Sequence, residues 1–392
     1  MTRVPITGIG IVAPGAIGIA AFRALLGSGE TAIREVERFD TAGLRAHKAA
    51  LVTGFVPKEF IAPMKMRRMN MLSRLGVSAA KMAFDDAGVA PEAGTGVAIG
   101  TSFGPVQTSV DYMQEYVAKG AALAPPQLFA ESVANAPGSH IAIEHNLRGF
   151  NLTVTQRESS ALSAAMYAAA QIAKRTVPAA LIGGVEEVNE MIFSVLDRVG
   201  SLSAEGMRPF DARHDGMSIG EGSAILLAGG NGTKCYGWLA GFGIARDVTA
   251  SISDWGDDHE AVVAAMRAAI DDAELSVADI DAVYASANGI PRADRLEARA
   301  LAALFGANVP PVVAVKGVFG EYSGGGSIQL VAAMLAMEEQ SLHASYGFEQ
   351  PDAEVRFEVT RERRNLPLRH ILINSISAGG GIVSAVISRE AS

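Results

Sequence analysis

The chain has almost no thiol chemistry to offer, since one of its 392 residues, Cys235, is a cysteine. One thiol cannot build a disulfide framework within a chain, which points to a reducing, cytoplasmic compartment. Cys235 stands in the apolar run Cys235-Tyr236-Gly237-Trp238-Leu239, where a buried thiol is expected rather than a nucleophile. Positive charge is also in deficit: 33 Lys and Arg face 42 Asp and Glu, a formal net charge of −9. Broad nucleic-acid binding is thereby excluded, because no positive field draws in phosphate. Long apolar runs are missing as well. No window of about 18 uncharged apolar residues occurs, so no membrane-spanning helix is expected. The opening Met1-Thr2-Arg3-Val4-Pro5-Ile6 runs into a strand-like segment without the apolar stretch of a signal peptide. With hydrophobic residues at 49% and charged residues at 19%, the composition is that of a globular, cytoplasmic protein with a large core.

What is present is a rhythm. Short runs rich in Val, Ile and Gly alternate with Ala-rich helical stretches. The pattern predicts strands over 4–12, 96–100, 152–155, 179–184, 282–285, 312–316, 371–375 and 382–387. It predicts helices over 70–87, 159–175, 259–273, 292–305 and 325–339. In the first helix Leu72, Leu75, Ala79, Met82 and Ala83 share a face, and Gly88 supplies a stop. Alternating strands and helices imply an α/β protein with mostly parallel pairing. The rhythm restarts after about Cys235, which suggests a duplication without a clear residue-level repeat. Gly8-Ile9-Gly10-Ile11-Val12-Ala13 matches the dinucleotide pattern G-x-G-x-x-A. Pro14-Gly15 follows where the pyrophosphate-binding helix should already be under way, so no nucleotide site is assigned.

Several segments carry a resemblance in order along nearly the whole chain. They are Gly8-Ile9-Gly10 with Pro14; Asn151-Leu152-Thr153-Val154; Arg208-Pro209-Phe210-Asp211, Asp215-Gly216 and Gly220-Glu221-Gly222; and Asn374-Ser375 with Gly379-Gly380-Gly381. Together they resemble the β-ketoacyl synthase family of the thiolase fold. The resemblance implies an α/β, thiolase-like fold of two duplicated βαβαβαββ halves, residues 1–235 and 236–392, forming a five-layered αβαβα core. It also implies a chemistry. A cysteine at a helix N-terminus takes up an acyl chain. Two histidines promote loss of CO₂ from a malonyl unit and stabilise the enolate, and a lysine supports them. Backbone N–H groups of the nucleophile turn and the Gly-rich loop form an oxyanion hole.

At each essential position the sequence departs from that pattern. Counting from Asn151-Leu152-Thr153-Val154, the nucleophile position falls on Glu158. The first histidine, five residues before Pro291, falls on Ser286, and the second, five residues after Lys316, falls on Glu321. Lys316 is retained. A carboxylate is a poor thioester acceptor, so condensation by this chain alone is not expected. If the fold holds, Glu158, Lys316 and Glu321 converge on one buried spot, with Lys316 ion-paired to one or both carboxylates. The alternative is an exposed Glu158 that has merely drifted. Arg157 either braces that cluster or reaches a partner.

A retained scaffold without its nucleophile resembles the chain-length factor, the inactive partner of an active ketosynthase in type II polyketide synthases. In that family the two subunits pair across an extended strand and adjoining helices, and the inactive one closes the acyl tunnel. Matched by position, Ser109, Tyr112, Met113, Tyr116 and Leu128 are the candidates for tunnel and interface. Met113 and Tyr116 stand at helical spacing, so an ordinary core stripe fits them equally. The implied partners are the active ketosynthase and, mainly through it, an acyl carrier protein. Substrates would ride on the carrier's phosphopantetheine, with no cofactor or metal on this chain. Lys65, Arg67 and Arg68 could meet the carrier's acidic surface, although a solvated helix entrance is the plainer reading. Two other functions fit the resemblance. One is a decarboxylase making a primer from malonyl-carrier protein, whose relatives keep both histidines. The other is a homodimeric acyl-binding protein.

Overall fold

The computed structural model describes residues 2–322 and 325–391. Ten strands form the path of one large mixed sheet: β1 (Val4–Ala13), β2 (Gly96–Gly100), β3 (Asn151–Val154), β4 (Ala179–Glu186), β5 (Gly222–Gly229), β6 (Gly237–Arg246), β7 (Ala282–Tyr284), β8 (Val312–Val313), β9 (His370–Ile376) and β10 (Gly381–Ser388). Their spatial order is β8-β7-β9-β10-β6-β1-β5-β4-β2-β3. Cut between β1 and β6, the two halves have the same order, β3-β2-β4-β5-β1 and β8-β7-β9-β10-β6. The duplication is therefore one of topology. The halves join along the first residues of β1, where Val4 faces Leu239 and Ile6 faces Gly237.

The helices repeat in the same way. Outside the first half lie α1 (Met71–Ala87) and α4 (Ala136–Glu144), and outside the second lie α7 (His259–Asp272) and α8 (Pro291–Phe305). Between the two halves of the sheet sit α5 (Ser160–Ala173) and α10 (Gly325–Glu339), in contact with each other and with strands of both halves. Helix, sheet, helix, sheet, helix is the five-layered arrangement of a thiolase-like fold. The remaining helices used below are α2 (Val106–Lys119), α3 (Pro126–Glu131), α6 (Glu190–Arg198) and the single turn α9 (Lys316–Phe319).

Local chemistry explains the elements. The Asn70 side chain accepts the Ser73 N–H at 2.7 Å, closing the N-terminus of α1. Gly88 ends it in the left-handed conformation. The buried face of α1 includes Leu72, Leu75, Ala79 and Ala83, and each fully buried leucine contributes roughly 1.5–3 kcal/mol. The Gly8-Ile9-Gly10 motif belongs to the same contact. A Cβ on Gly8 would stand 2.2 Å from the Ala83 carbonyl, and one on Gly10 1.8 Å from that of Ala79. The glycines serve close packing of helix on strand, and β1 runs on to Ala13 and turns back into a short antiparallel strand, Ala16–Ile17, before a helix starts at Ile19.

Three expectations are corrected. The sheet is mixed, not mostly parallel: β2 pairs in parallel with β3 and β4, and β7 with β8 and β9, whereas the remaining pairings between these ten strands are antiparallel. The strands β5 and β6, missed in the sequence reading, account for much of this. Lys316 does not end a strand, because β8 stops at Val313 and Lys316 opens α9. Cys235 is exposed, lying in the link between β5 and β6 just before burial resumes at Tyr236.

Candidate functional site

The candidate centre is built where the N-terminal end of α5 meets the Gly-rich turn between β9 and β10. The chain enters α5 through a tight turn in which Arg157 takes φ +49°, a left-handed conformation that costs a non-glycine residue roughly 1–2 kcal/mol. That turn brings Glu158 inside, at 9% exposure. Its backbone carbonyl accepts the Ser375 hydroxyl at 2.7 Å, and its carboxylate accepts the Ala378 N–H at 3.1 Å. Burial, then the charge of Glu321, pushes the Glu158 pKa up to about 7, while its own backbone N–H, Lys316 and the Ala378 N–H favour the ionised form. The exposed alternative for Glu158 is thereby removed.

Facing it, Lys316 is fully enclosed and donates to Glu321 at 2.6 Å and to the Ser286 carbonyl at 2.8 Å. Asn288 donates its amide to the same Glu321 oxygen at 3.0 Å. The expected convergence of Glu158, Lys316 and Glu321 is present, with the direct ion pair between Lys316 and Glu321. The second Glu321 oxygen has no hydrogen-bond partner among the described residues. Ser286 meets the Lys316 ammonium through its backbone carbonyl. Its hydroxyl accepts the Ile376 N–H at 2.9 Å, so it braces β9, and Asn288 is the neighbour whose side chain reaches the charged group.

A second carboxylate supports this wall. Glu297, on α8, accepts the N–H groups of Ser286 and Ala287 at 2.9 and 2.8 Å and the Asn374 amide at 2.9 Å. Burial pushes its pKa up to about 7 as well. On the same helix, Asp294 accepts the N–H groups of Asn288 and Phe210. Sequence reasoning missed Asn288, Asp294, Glu297 and Ala378. The usable signal was Asp294 and Glu297 set three apart on a helix, where a carboxylate pair turned inward must be receiving donors. The motif residue Glu221 is likewise structural, accepting Arg38 at 2.6 and 2.8 Å and the N–H groups of Val52 and Val188.

Above Glu158 and Glu321 opens a cavity of about 190 Å³ whose lining includes Phe103, Arg157, Leu196, Met217, Ile219, Trp255 and Tyr322. Among the described residues no cluster of histidine, cysteine and carboxylate groups is suited to hold a metal.

The candidate tunnel residues lie apart from this centre, on α2 and α3. Ser109, Tyr112 and Leu128 are half-buried, while Met113 is 52% and Tyr116 41% exposed. That excludes a core stripe for the last two. Tyr112 packs its ring against those of Tyr116 and Phe129, with centroids 6.2 and 5.6 Å apart. Val117, Leu123, Phe129 and, from α6, Met191 extend the uncovered apolar face, and α2 with Met191 lines an open groove of about 600 Å³. Lys65, Arg67 and Arg68 are exposed, with Lys65 paired to Glu144 at 2.8 Å, in keeping with a solvated helix entrance. No helix among the described residues is long and apolar enough to cross a membrane.

Comparison with known proteins agrees with this architecture. Residues 1–230 match the family model for the β-ketoacyl synthase N-terminal domain and residues 236–349 that for its C-terminal domain. The ketoacyl synthase beta subunit of the tetracenomycin polyketide synthase of Streptomyces glaucescens is 28% identical, over 99% of this chain and 98% of that protein. The alpha subunit of the same synthase is 29% identical, over 99% and 97%. Among solved structures, the ishigamide ketosynthase/chain length factor superposes with a TM-score of 0.92 at 24% identity, covering 99% of both chains. From the layered topology and the matched domains, this chain belongs to the β-ketoacyl synthase family.

Proposed function

We propose that the chain is the non-catalytic, chain-length-factor member of a heterodimeric ketosynthase in polyketide or related acyl-chain elongation. Overall identity does not choose between the two subunit types, since alpha and beta relatives are equally similar. The observation that carries the reading is the buried Glu158 carboxylate. It stands at the position matched to the nucleophile, and two backbone N–H groups, its own and that of Ala378, favour its charge. The donors that would serve an acyl oxyanion are occupied by the chain's own side chain, and neither histidine position holds an imidazole.

Pairing is supported by the uncovered apolar face of α2 and α3 and by β3, which ends the sheet order. An unpartnered strand edge and an uncovered apolar patch are each natural sites of association. Tyr112 and Met113 on that face are the bulky side chains that would limit a partner's acyl tunnel.

The test is co-expression with a ketosynthase that has an intact Cys-His-His set, ideally one encoded beside this chain. A stable one-to-one complex is expected, and Tyr112→Ala should lengthen the products of the reconstituted pair. Release of CO₂ from malonyl-carrier protein by the lone chain would instead establish a decarboxylase. A homodimer indifferent to the ketosynthase would establish an acyl-binding protein.

A further inference from the structure

The cavity over the candidate centre is amphipathic in a specific way. Its buried floor holds two carboxylates, Glu158 and Glu321, against one enclosed cation, Lys316, which is already committed to Glu321 and to the Ser286 carbonyl. One Glu321 oxygen, on a residue 3% exposed, accepts nothing among the described residues. On another wall the Trp255 indole N–H, on a residue 6% exposed, has no acceptor among them. A buried donor and a buried acceptor left unmade each cost roughly 1–3 kcal/mol, and both belong to residues lining the same space. Phe103, Leu196, Met217 and Ile219 supply apolar walls, while Arg157 is half-exposed and Ser253 exposed.

We infer that this cavity is a binding site for a small primary ammonium ion that also carries a hydroxyl or carbonyl oxygen. The ammonium would donate to the free Glu321 oxygen and lie against Glu158, and the ligand oxygen would accept the Trp255 indole N–H. Size sets the limit. At roughly 30 Å³ for each water-sized group, about 190 Å³ admits a ligand of about five or six non-hydrogen atoms. The charge count favours a cation over an anion: the floor has an excess of carboxylate, Glu186 also lines the cavity, and Arg157 lies where solvent screens it. A bound cation would hold Glu158 ionised, so binding near neutral pH should release a proton. The inference uses the centre's geometry and does not depend on which subunit this chain pairs with.

The probe is 3-amino-1-propanol, titrated into the full-length chain, or into its complex with the ketosynthase, by calorimetry. In parallel, Trp255 fluorescence is followed in a Trp238→Phe background. Half-saturation on the order of 1 mM is expected, as small ligands achieve, together with proton release detected in buffers of different ionisation enthalpy. Propylammonium should bind several-fold more weakly, and propan-1-ol not measurably. Trp255→Phe should reduce the amino alcohol to the affinity of propylammonium, and Glu321→Gln should abolish binding of both. Absence of saturable binding by the amino alcohol, or equal binding by propan-1-ol, would overturn the assignment. So would affinity unchanged in both Trp255→Phe and Glu321→Gln.

Discussion

Lys316 illustrates how much the centre depends on single groups. Its ammonium is enclosed and held by Glu321 and by the Ser286 carbonyl. Removing one partner of a buried pair leaves an uncompensated charge, at a cost of about 3–5 kcal/mol. Lys316→Met is therefore expected to lower the unfolding free energy from urea titration by that amount, and the double variant Lys316→Met/Glu321→Gln to recover a large part of it. Glu158 gives a pH signature. Its pKa rises from 4.5 to about 7 in the folded chain, mainly through burial. Between those values the folded state binds more protons than the unfolded one, so this residue's contribution to stability falls as pH rises from about 4.5 to 7. His343, lowered by burial to about 4, contributes the opposite slope over part of that range. Comparison of wild type with Glu158→Gln isolates the effect: the variant's stability relative to wild type should rise from pH 5 to pH 7.5. A constant difference in urea midpoint would contradict it.

At the scale of elements, the duplication left a trace that no residue pattern had suggested. In β6, Cβ atoms on Gly241 and Gly243 would stand 2.3 and 2.0 Å from the carbonyls of Ala269 and Ala265 on α7. This repeats the contact of Gly8 and Gly10 with Ala83 and Ala79 on α1. Two glycines two apart on a strand meet two alanines four apart on a helix, once in each half. Backbone cannot yield at such distances, so Gly10→Val or Gly243→Val should prevent accumulation of folded chain. Gly43→Ala, where an added Cβ meets nothing within 4 Å, should be neutral in expression and in thermal unfolding. The repeat was illegible beforehand because Gly-x-Gly is common and the matching alanines lie in another element. The strands and helices themselves were largely legible, since 3.6-residue and strand-like runs are local signals. The misread element was the 312–316 run, where an apolar sequence turns into α9 to point Lys316 inward.

At the scale of the whole molecule, the apolar face of α2 and α3 is the surface on which the proposed pairing is tested. Val117 is 77% exposed and Met113 52%, with no packing to lose, so Val117→Glu or Met113→Glu should change folding stability by no more than about 0.5 kcal/mol. The same variants should prevent association with a ketosynthase and keep the lone chain monomeric in sedimentation. A variant that still forms the one-to-one complex with unchanged affinity would remove this face from the interface.

The sequence by itself determined the alternation of strands and helices, the order of motifs along the chain, and the absence of cysteine and histidine from the matched positions. These are properties of local pattern and residue identity. Only the tertiary structure decided the mixed direction of the sheet, the burial of Glu158, and the partners of the Ser286 and Asn288 side chains, Ile376 N–H and Glu321. It also decided the meeting of Glu158 with the Ala378 N–H, across 220 residues of sequence. Such contacts arise when the two halves close on α5 and α10, and their energies depend on distances that no short stretch of sequence encodes.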